Sequence, residues 1–204
     1  MRAQDYAAKR DWPGYFGVVL GKPPRETMIA ALDSFAREGF APGLAVDLGA
    51  GEGRDTLELL KRGWRVVATD GHPEAFDHLW PRVPPEVTDH LTTEEADFGD
   101  MMIPHCDLVN ASFALPFCPP NDFPGLWKRI VEAIRPGGRF AGQFFGDRDS
   151  WASMPDRTHH TQADVLELLK GFQVEMLNLE EKDDKPDVRN PKHWQVFHVV
   201  ARKK

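Results

Sequence analysis

Leu44-Ala45-Val46-Asp47-Leu48-Gly49-Ala50-Gly51-Glu52-Gly53-Arg54 is a short apolar run that breaks into alternating glycines and then enters a helical pattern at Thr56-Leu57-Glu58-Leu59-Leu60. A strand covered on both faces shows continuous apolar residues rather than alternation, so the stretch predicts a buried parallel strand, a tight turn and a helix. Val66-Val67-Ala68-Thr69-Asp70 is a second apolar strand, closed by a carboxylate. Ligands of open α/β sheets sit at that end of the strands. A turn rich in backbone N–H groups beside an acid on the neighbouring strand predicts a site for a nucleoside.

The glycines let a ligand approach the backbone without meeting a Cβ. In the dinucleotide fingerprint the third glycine follows the second by three residues, and a pyrophosphate rests on the helix N-terminus. Here that third place is Arg54, and Gly53 comes one residue early. Asp47, inside the strand, suits the positive end of an amino acid better than a phosphate. Both features point away from a pyrophosphate.

With these residues in place, the chain resembles the class I S-adenosylmethionine-dependent methyltransferases. Val46-Asp47-Leu48-Gly49-Ala50-Gly51-Glu52-Gly53 looks like that family's first motif, and Asp70 stands where its ribose-binding acid is expected. Asp97 and Phe98 match the pair that meets the adenine, and Cys106-Asp107-Leu108-Val109-Asn110-Ala111 the fourth strand. Arg135-Pro136-Gly137-Gly138-Arg139-Phe140 is similar to the family's turn into the fifth. The resemblance covers roughly residue 40 to the C-terminus. It implies an α/β, three-layer Rossmann-like methyltransferase fold with a seven-stranded, mostly parallel sheet and an antiparallel last strand. It also implies S-adenosyl-L-methionine as cofactor, held by Asp47, Gly49, Ala50, Gly51, Asp70, Gly71, His72, Asp97, Phe98, Asn110 and Ala111, with no metal and no assigned catalytic residue. Gly51-Glu52-Gly53-Arg54-Asp55 and Gly21-Lys22-Pro23-Pro24 are similar to the small-molecule branch that includes tellurite-resistance methyltransferases. That narrower likeness names no substrate.

A chain of 204 residues has the size of one domain, taken here as 1–204. Its formal net charge of −7 argues against a general nucleic-acid binder. No apolar run approaches the length of a membrane span, and Met1-Arg2-Ala3-Gln4-Asp5 lacks the core of a secretory signal, so the expected location is cytoplasmic. Cys106 and Cys118 form no disulfide or zinc pattern and are expected as buried small apolar residues.

Residues 1 to 40 hold an aromatic, glycine-containing segment, too irregular for a strong helix, and then a helical pattern. The segment is expected to fold as a lid, with Trp12, Tyr15 and Phe16 lining the pocket, where an aromatic face favours a sulfonium. Met28, Ile29, Leu32, Phe35 and Ala36 recur at helical spacing, and Arg25 at that helix's start could reach an anionic substrate or a cofactor carboxylate.

Further along, Glu74 to Leu79 predicts a short helix, and a third strand is expected to end near Asp97. Asn110-Ala111-Ser112-Phe113 keeps the outer places of the Asn-Pro-Pro-aromatic tetrapeptide of amino-group methyltransferases but lacks both prolines, which disfavours an adenine or glutamine target. Cys118-Pro119-Pro120 does not match the Pro-Cys nucleophile of cytosine-C5 enzymes. Asn121 and Asp122 are expected to cap a helix through Leu126 and Ile130, and strand five to run from Arg139 to Phe145. The long loop from Gly146 to His160 is expected over the substrate, with Trp151, Arg157, His159 and His160 as the side chains of interest. A histidine there would suit general-base chemistry, against the plainer expectation of a solvated loop.

Thr161-Gln162-Ala163-Asp164 reads as a capping box that opens a helix with Val165, Leu166, Leu168 and Leu169 on its core face. Val174 to Leu179 and Trp194 to Val200 alternate as strands around a charged, solvated hairpin loop, Glu180 to His193. The expected function is methyl transfer to a small-molecule acceptor, with neither nucleic acid nor membrane as partner. The rivals are a cofactor-binding protein without catalysis, a nicotinamide-dependent oxidoreductase disfavoured by the glycine spacing, and aminopropyl transfer.

Overall fold

The apolar run at Leu44–Leu48 is strand β1, and its side chains alternate between two cores. Ala45 faces a cluster with Met28, Leu32, Phe35, Leu59 and Leu60, while Val46 and Leu48 face one with Leu126, Ile130, Phe140 and Phe144. This double covering is why the run reads as continuously apolar. The structure is a computed structural model and describes residues 1–185 and 191–204.

Strands β2 (Arg65–Asp70), β3 (Leu91–Glu95), β4 (Cys106–Ala111) and β5 (Ile134–Gly146) join β1 in parallel, in the order β3-β2-β1-β4-β5. After the two-residue β6 (His159–His160), β7 (Phe172–Asp183) and β8 (His193–Lys203) complete the path as β5-β8-β7, with β8 antiparallel to both neighbours. β6 pairs with the far end of β5. The seven-stranded path with one antiparallel strand is the expected one. β1 leads to β2 on one side and has β4 on the other, so the chain reverses its winding there and leaves a crevice at the strands' C-terminal ends.

Helices α1 (Ala3–Ala8) and α2 (Trp12–Val19) precede α3 (Glu26–Arg37). With α4 (Arg54–Lys61) and α5 (Glu74–Leu79), α3 covers one face of the sheet; α6 (Phe123–Ala133) and α7 (Gln162–Leu168) cover the other. Met28, Leu32 and Phe35 are buried along α3 at i, i+4 and i+7, each contributing about 1.5–3 kcal/mol on leaving water. Arg139 of β5, wholly buried, is held by Glu38 beyond α3 (2.5 Å) and Glu175 of β7 (2.8 Å), with its guanidinium 4.3 Å over Phe35.

Several local expectations change. The N-terminal segment is helical after all: the Asp11 carboxylate accepts from Gly14 N at 3.1 Å, and Pro13 sits in the first turn, where its missing N–H costs nothing. Asp122 precedes α6 but makes no side-chain cap; the backbone carbonyl of Pro119 takes the first N–H groups instead. The Thr161–Asp164 capping box forms as expected, yet Leu166 is exposed on α7 while Val165 and Leu169 are buried. Both final strands run further than their apolar cores, since ladder pairing extends through the charged residues to Asp183 and His193. Of the expected hairpin loop, residues 186–190 lie outside the described residues. Among the described residues, no helix is long and apolar enough to cross a membrane.

Candidate active site

The glycine turn follows β1 at the crevice. Gly49 has φ +65°, and a Cβ there would lie 2.6 Å from Ala114 Cβ. Gly51 has φ +55°, and its N–H donates to Asp70 Oδ2 at 2.8 Å. The His72 N–H donates to the other oxygen of Asp70 at 2.9 Å. The acid ending β2 is thus oriented by two backbone amides and tied to the turn beside it. Burial raises the Asp70 carboxyl above its usual range, and the two N–H groups pull against that rise.

Beneath the turn lies a cluster of buried acids. Asp47 accepts from Thr56 Oγ1 at 2.6 Å and from Asn110 Nδ2 at 2.8 Å, and the same amide nitrogen reaches Asp55 Oδ2 at 3.1 Å. The other Asp55 oxygen accepts from Arg25 N at 2.8 Å, fixing the start of α3. Burial, and then the neighbouring Asp55 carboxylate, push Asp47 up to about 7. Glu52 is buried against Arg54 at 2.9 Å, and its carboxyl is raised by burial despite that partner.

A cavity of about 380 Å³ opens over the turn. Its wall includes Asp47, Gly49, Ala50, Gly51, Asp70, Gly71, Asp97 and Phe98, all expected there from sequence. Trp12, Tyr15 and Phe16 of α2 close it from above. Ties that fasten this segment include Arg2 with Asp184 at 2.8 Å, Arg10 with Asp156 at 2.8 Å, and Arg157 donating to the carbonyls of Ala7 and Ala8 at 3.2 Å.

The other expected residues lie elsewhere. Asn110 and Ala111 are buried at the end of β4, outside the cavity wall, and Asn110 spends its amide on the acids below. Ladder pairing sets Asp47 beside Asn110 on neighbouring strands, and of the two only Asp47 reaches the cavity wall. His72 also stays outside the wall; its ring lies 6.1 Å from that of Phe16, and its Nδ1 is buried with no hydrogen-bond partner. His159 and His160 are neither solvated nor poised as a base. They form β6 against Phe145 and Phe123, and burial lowers both, His160 to about 4. Arg157 is buried as a brace, and Arg25 is half-buried in the cavity wall. Cys106 and Cys118 are buried as expected.

A second cavity, of about 620 Å³, adjoins the first. Tyr15, Arg25, Arg54, Phe113 and Phe117 belong to both walls. Phe113 has φ +55°, rare for a bulky side chain, and is held there by its N–H donating to Gln143 Oε1 at 2.8 Å. Gln143 in turn donates to Thr27 Oγ1 at 2.9 Å. Sequence reasoning missed Asp55, Thr56, Gln143 and this second chamber. The signal for the first two was their place one helical turn beyond the glycines; Gln143 carries none, since only the fold brings β5 to Phe113.

Residues 45–138 match the model of a methyltransferase domain family. Over that stretch the chain is similar to the S-adenosylmethionine-dependent methyltransferases that its sequence resembles. It is 33% identical over 91 residues to the magnesium-protoporphyrin O-methyltransferase of Rhodobacter capsulatus, an alignment covering 45% of this chain and 41% of that protein. The chain spans about half the length of the curated relatives it matches. Among solved structures, TehB from Haemophilus influenzae superposes with a TM-score of 0.68 at 18% identity, over 86% of this chain and 62% of that one. The Burkholderia thailandensis 1,6-didemethyltoxoflavin-N1-methyltransferase superposes with a TM-score of 0.66 at 22% identity, over 100% and 91%. At these identities the two structures establish a shared fold. The early Gly53 agrees with that likeness: the turn is built around backbone N–H groups and flanking acids.

Proposed function

We propose that this chain transfers a methyl group from S-adenosylmethionine to a small-molecule acceptor. The observation that carries the reading is the turn itself, where Gly51 and Asp70 are bonded to each other at the mouth of a cavity that Asp47, Asp97 and Phe98 also wall. The residues present fit the cofactor. A Cβ at Gly51 would meet nothing nearer than a Phe16 ring carbon at 3.5 Å, so the turn's backbone is open there for a ligand to approach, while at Gly71 the Asp97 carboxylate fills that place at 3.0 Å. The backbone from Gly49 to Gly51, with Asp47 behind it, would hold the amino-acid end. Asp70 would take the ribose hydroxyls in a bidentate, charge-assisted contact, and Asp97 and Phe98 the adenine.

When bound, the sulfonium supplies an electrophilic methyl carbon. The chain's own work is alignment and exclusion of water, which in such displacements supply much of the rate. Trp12, Tyr15 and Phe16 cover the first cavity as a lid. The adjoining second cavity has the size of a small-molecule site, which supports a small acceptor. Titration calorimetry with S-adenosylhomocysteine tests the reading: binding in the micromolar range is expected, and no heat at millimolar ligand overturns it.

A further inference from the structure

We propose that the second cavity is the acceptor site, that it takes a planar aromatic or heteroaromatic molecule bearing an ionisable O–H or N–H, and that His198, held by Glu180, removes that proton. This rests on the methyl-transfer reading above. Because Arg25 and Phe113 stand in both walls, a ring lying in the second chamber presents its edge to the first.

The lining selects the chemical class. Phe145, Trp151 and Trp194 line one end, with ring centroids 5.8 to 6.2 Å apart, and the buried Lys192 ammonium packs against the same trio, 4.2 Å from the Trp151 and Trp194 rings. Such a frame offers faces and edges to a flat ring and little to a flexible chain. The guanidinium carbon of Arg25 lies 4.4 Å over Phe113, and among the described residues no carboxylate lies within ion-pair distance of it. A half-buried cation without a counterion favours an acceptor that is, or becomes, an anion.

His198 of β8 lines the same cavity, its ring 6.1 Å from that of Phe113. Its Nε2 lies 3.0 Å from Glu180 Oε2 on the neighbouring strand β7. Glu180 is also paired with Lys182, which holds its carboxyl below the usual range. A carboxylate accepting from Nε2–H fixes the tautomer and leaves the lone pair on Nδ1. No described residue hydrogen-bonds that Nδ1. The charged groups that line the cavity with the ring are Glu180, Lys182 and Asp184 from β7 and just beyond it, Lys22, Arg25 and Glu26 around the start of α3, and Arg54 of α4.

The step balances. A lone pair on the acceptor's oxygen or nitrogen forms the bond to the methyl carbon, and the methyl–sulfur bond breaks with its electrons left on sulfur. The acceptor's proton passes to His198 Nδ1. The positive charge lost from sulfur appears on an imidazolium beside Glu180. His198 is the catalytic residue and Glu180 a positioning residue.

The test uses the full chain saturated with S-adenosylhomocysteine and 4-nitrophenol as the probe. Its binding should quench the fluorescence of Trp151 and Trp194, and its anion band should persist at least one pH unit below its titration in water. His198→Gln should keep S-adenosylhomocysteine binding and the quench but lose the persistent band. Glu180→Gln should move the midpoint of that band toward higher pH. Arg25→Gln should weaken probe binding at least tenfold. If the wild type binds S-adenosylhomocysteine but shows no quench, the acceptor class is wrong. A persistent band unchanged in His198→Gln, in a variant that still binds the nucleoside, removes the histidine from its role. Failure to bind S-adenosylhomocysteine at all instead overturns the methyl-transfer reading beneath it.

Discussion

Asn110 donates its amide to Asp47 at 2.8 Å across the ladder that joins β1 to β4. The same nitrogen reaches Asp55 at 3.1 Å, so one neutral side chain separates two buried carboxylates under the glycine turn. Replacing it by alanine leaves both oxygens without that donor. Asn110→Ala is expected to lose about 3 kcal/mol of stability, because a buried acceptor forfeits its bond and keeps its desolvation. A lowered midpoint in urea unfolding, at unchanged slope, is the readout; a midpoint within experimental error of wild type would contradict it.

Stability should fall with pH on account of Asp47. Its carboxyl titrates near 7 in the fold against 3.8 in a solvated chain, chiefly because burial penalises the anion. Between those values the folded state holds a proton that the unfolded state has released, so this group's stabilising contribution is full below about 3.8 and is lost as pH rises through 7. Asp47→Asn removes the dependence. Its stability relative to wild type should rise between pH 4 and pH 7 and level off above, measured by urea midpoints across that range. The same variant should bind S-adenosylhomocysteine more weakly at pH 8, where wild type carries the charge.

Asp70→Ala should weaken S-adenosylhomocysteine by an order of magnitude or more, since a buried bidentate contact disappears. It also releases the amides of Gly51 and His72. Calorimetry on a variant whose unfolding midpoint is near wild type separates lost affinity from lost fold.

The two turn glycines should respond differently to alanine. At Gly49 a Cβ meets Ala114 Cβ at 2.6 Å, whereas at Gly51 the nearest atom is a Phe16 ring carbon at 3.5 Å. Both carry positive φ, which costs an alanine roughly 1–2 kcal/mol. Gly49→Ala should therefore destabilise more than Gly51→Ala, while Gly51→Ala folds and loses affinity where the ligand approaches. Thermal midpoints and calorimetry on both variants test the split.

Burial lifts both thiols to about 12, so neither forms thiolate at neutral pH. Native protein should react with Ellman's reagent at least tenfold more slowly than unfolded protein, and two thiols should appear in guanidinium.

The strand, turn and helix from Leu44 to Lys61 were legible because continuous apolarity, glycine spacing and amphipathic period agree there. Asp70 and Asp97 were legible as acids ending or following a strand. Asn110 was not: its chemistry suggested a ligand contact, but strand parity turns it to the face where Asp47 and Asp55 wait. His159 and His160 misled for a related reason, since a loop long in sequence folds back as β6 and leaves them half-buried against aromatic rings. The second cavity left no local trace. Its wall draws on residues from Ala3 to His198, and only the antiparallel pairing of β7 with β8 sets Glu180 beside His198.

Phe113 carries a consequence for how such proteins diversify. Its ring is a partition common to two chambers, and its unusual backbone is pinned by Gln143. Any exchange that reshapes one compartment at this position disturbs the other, so variation in acceptor choice should accumulate on the far walls, around Trp151 and Trp194, where it leaves nucleoside affinity untouched.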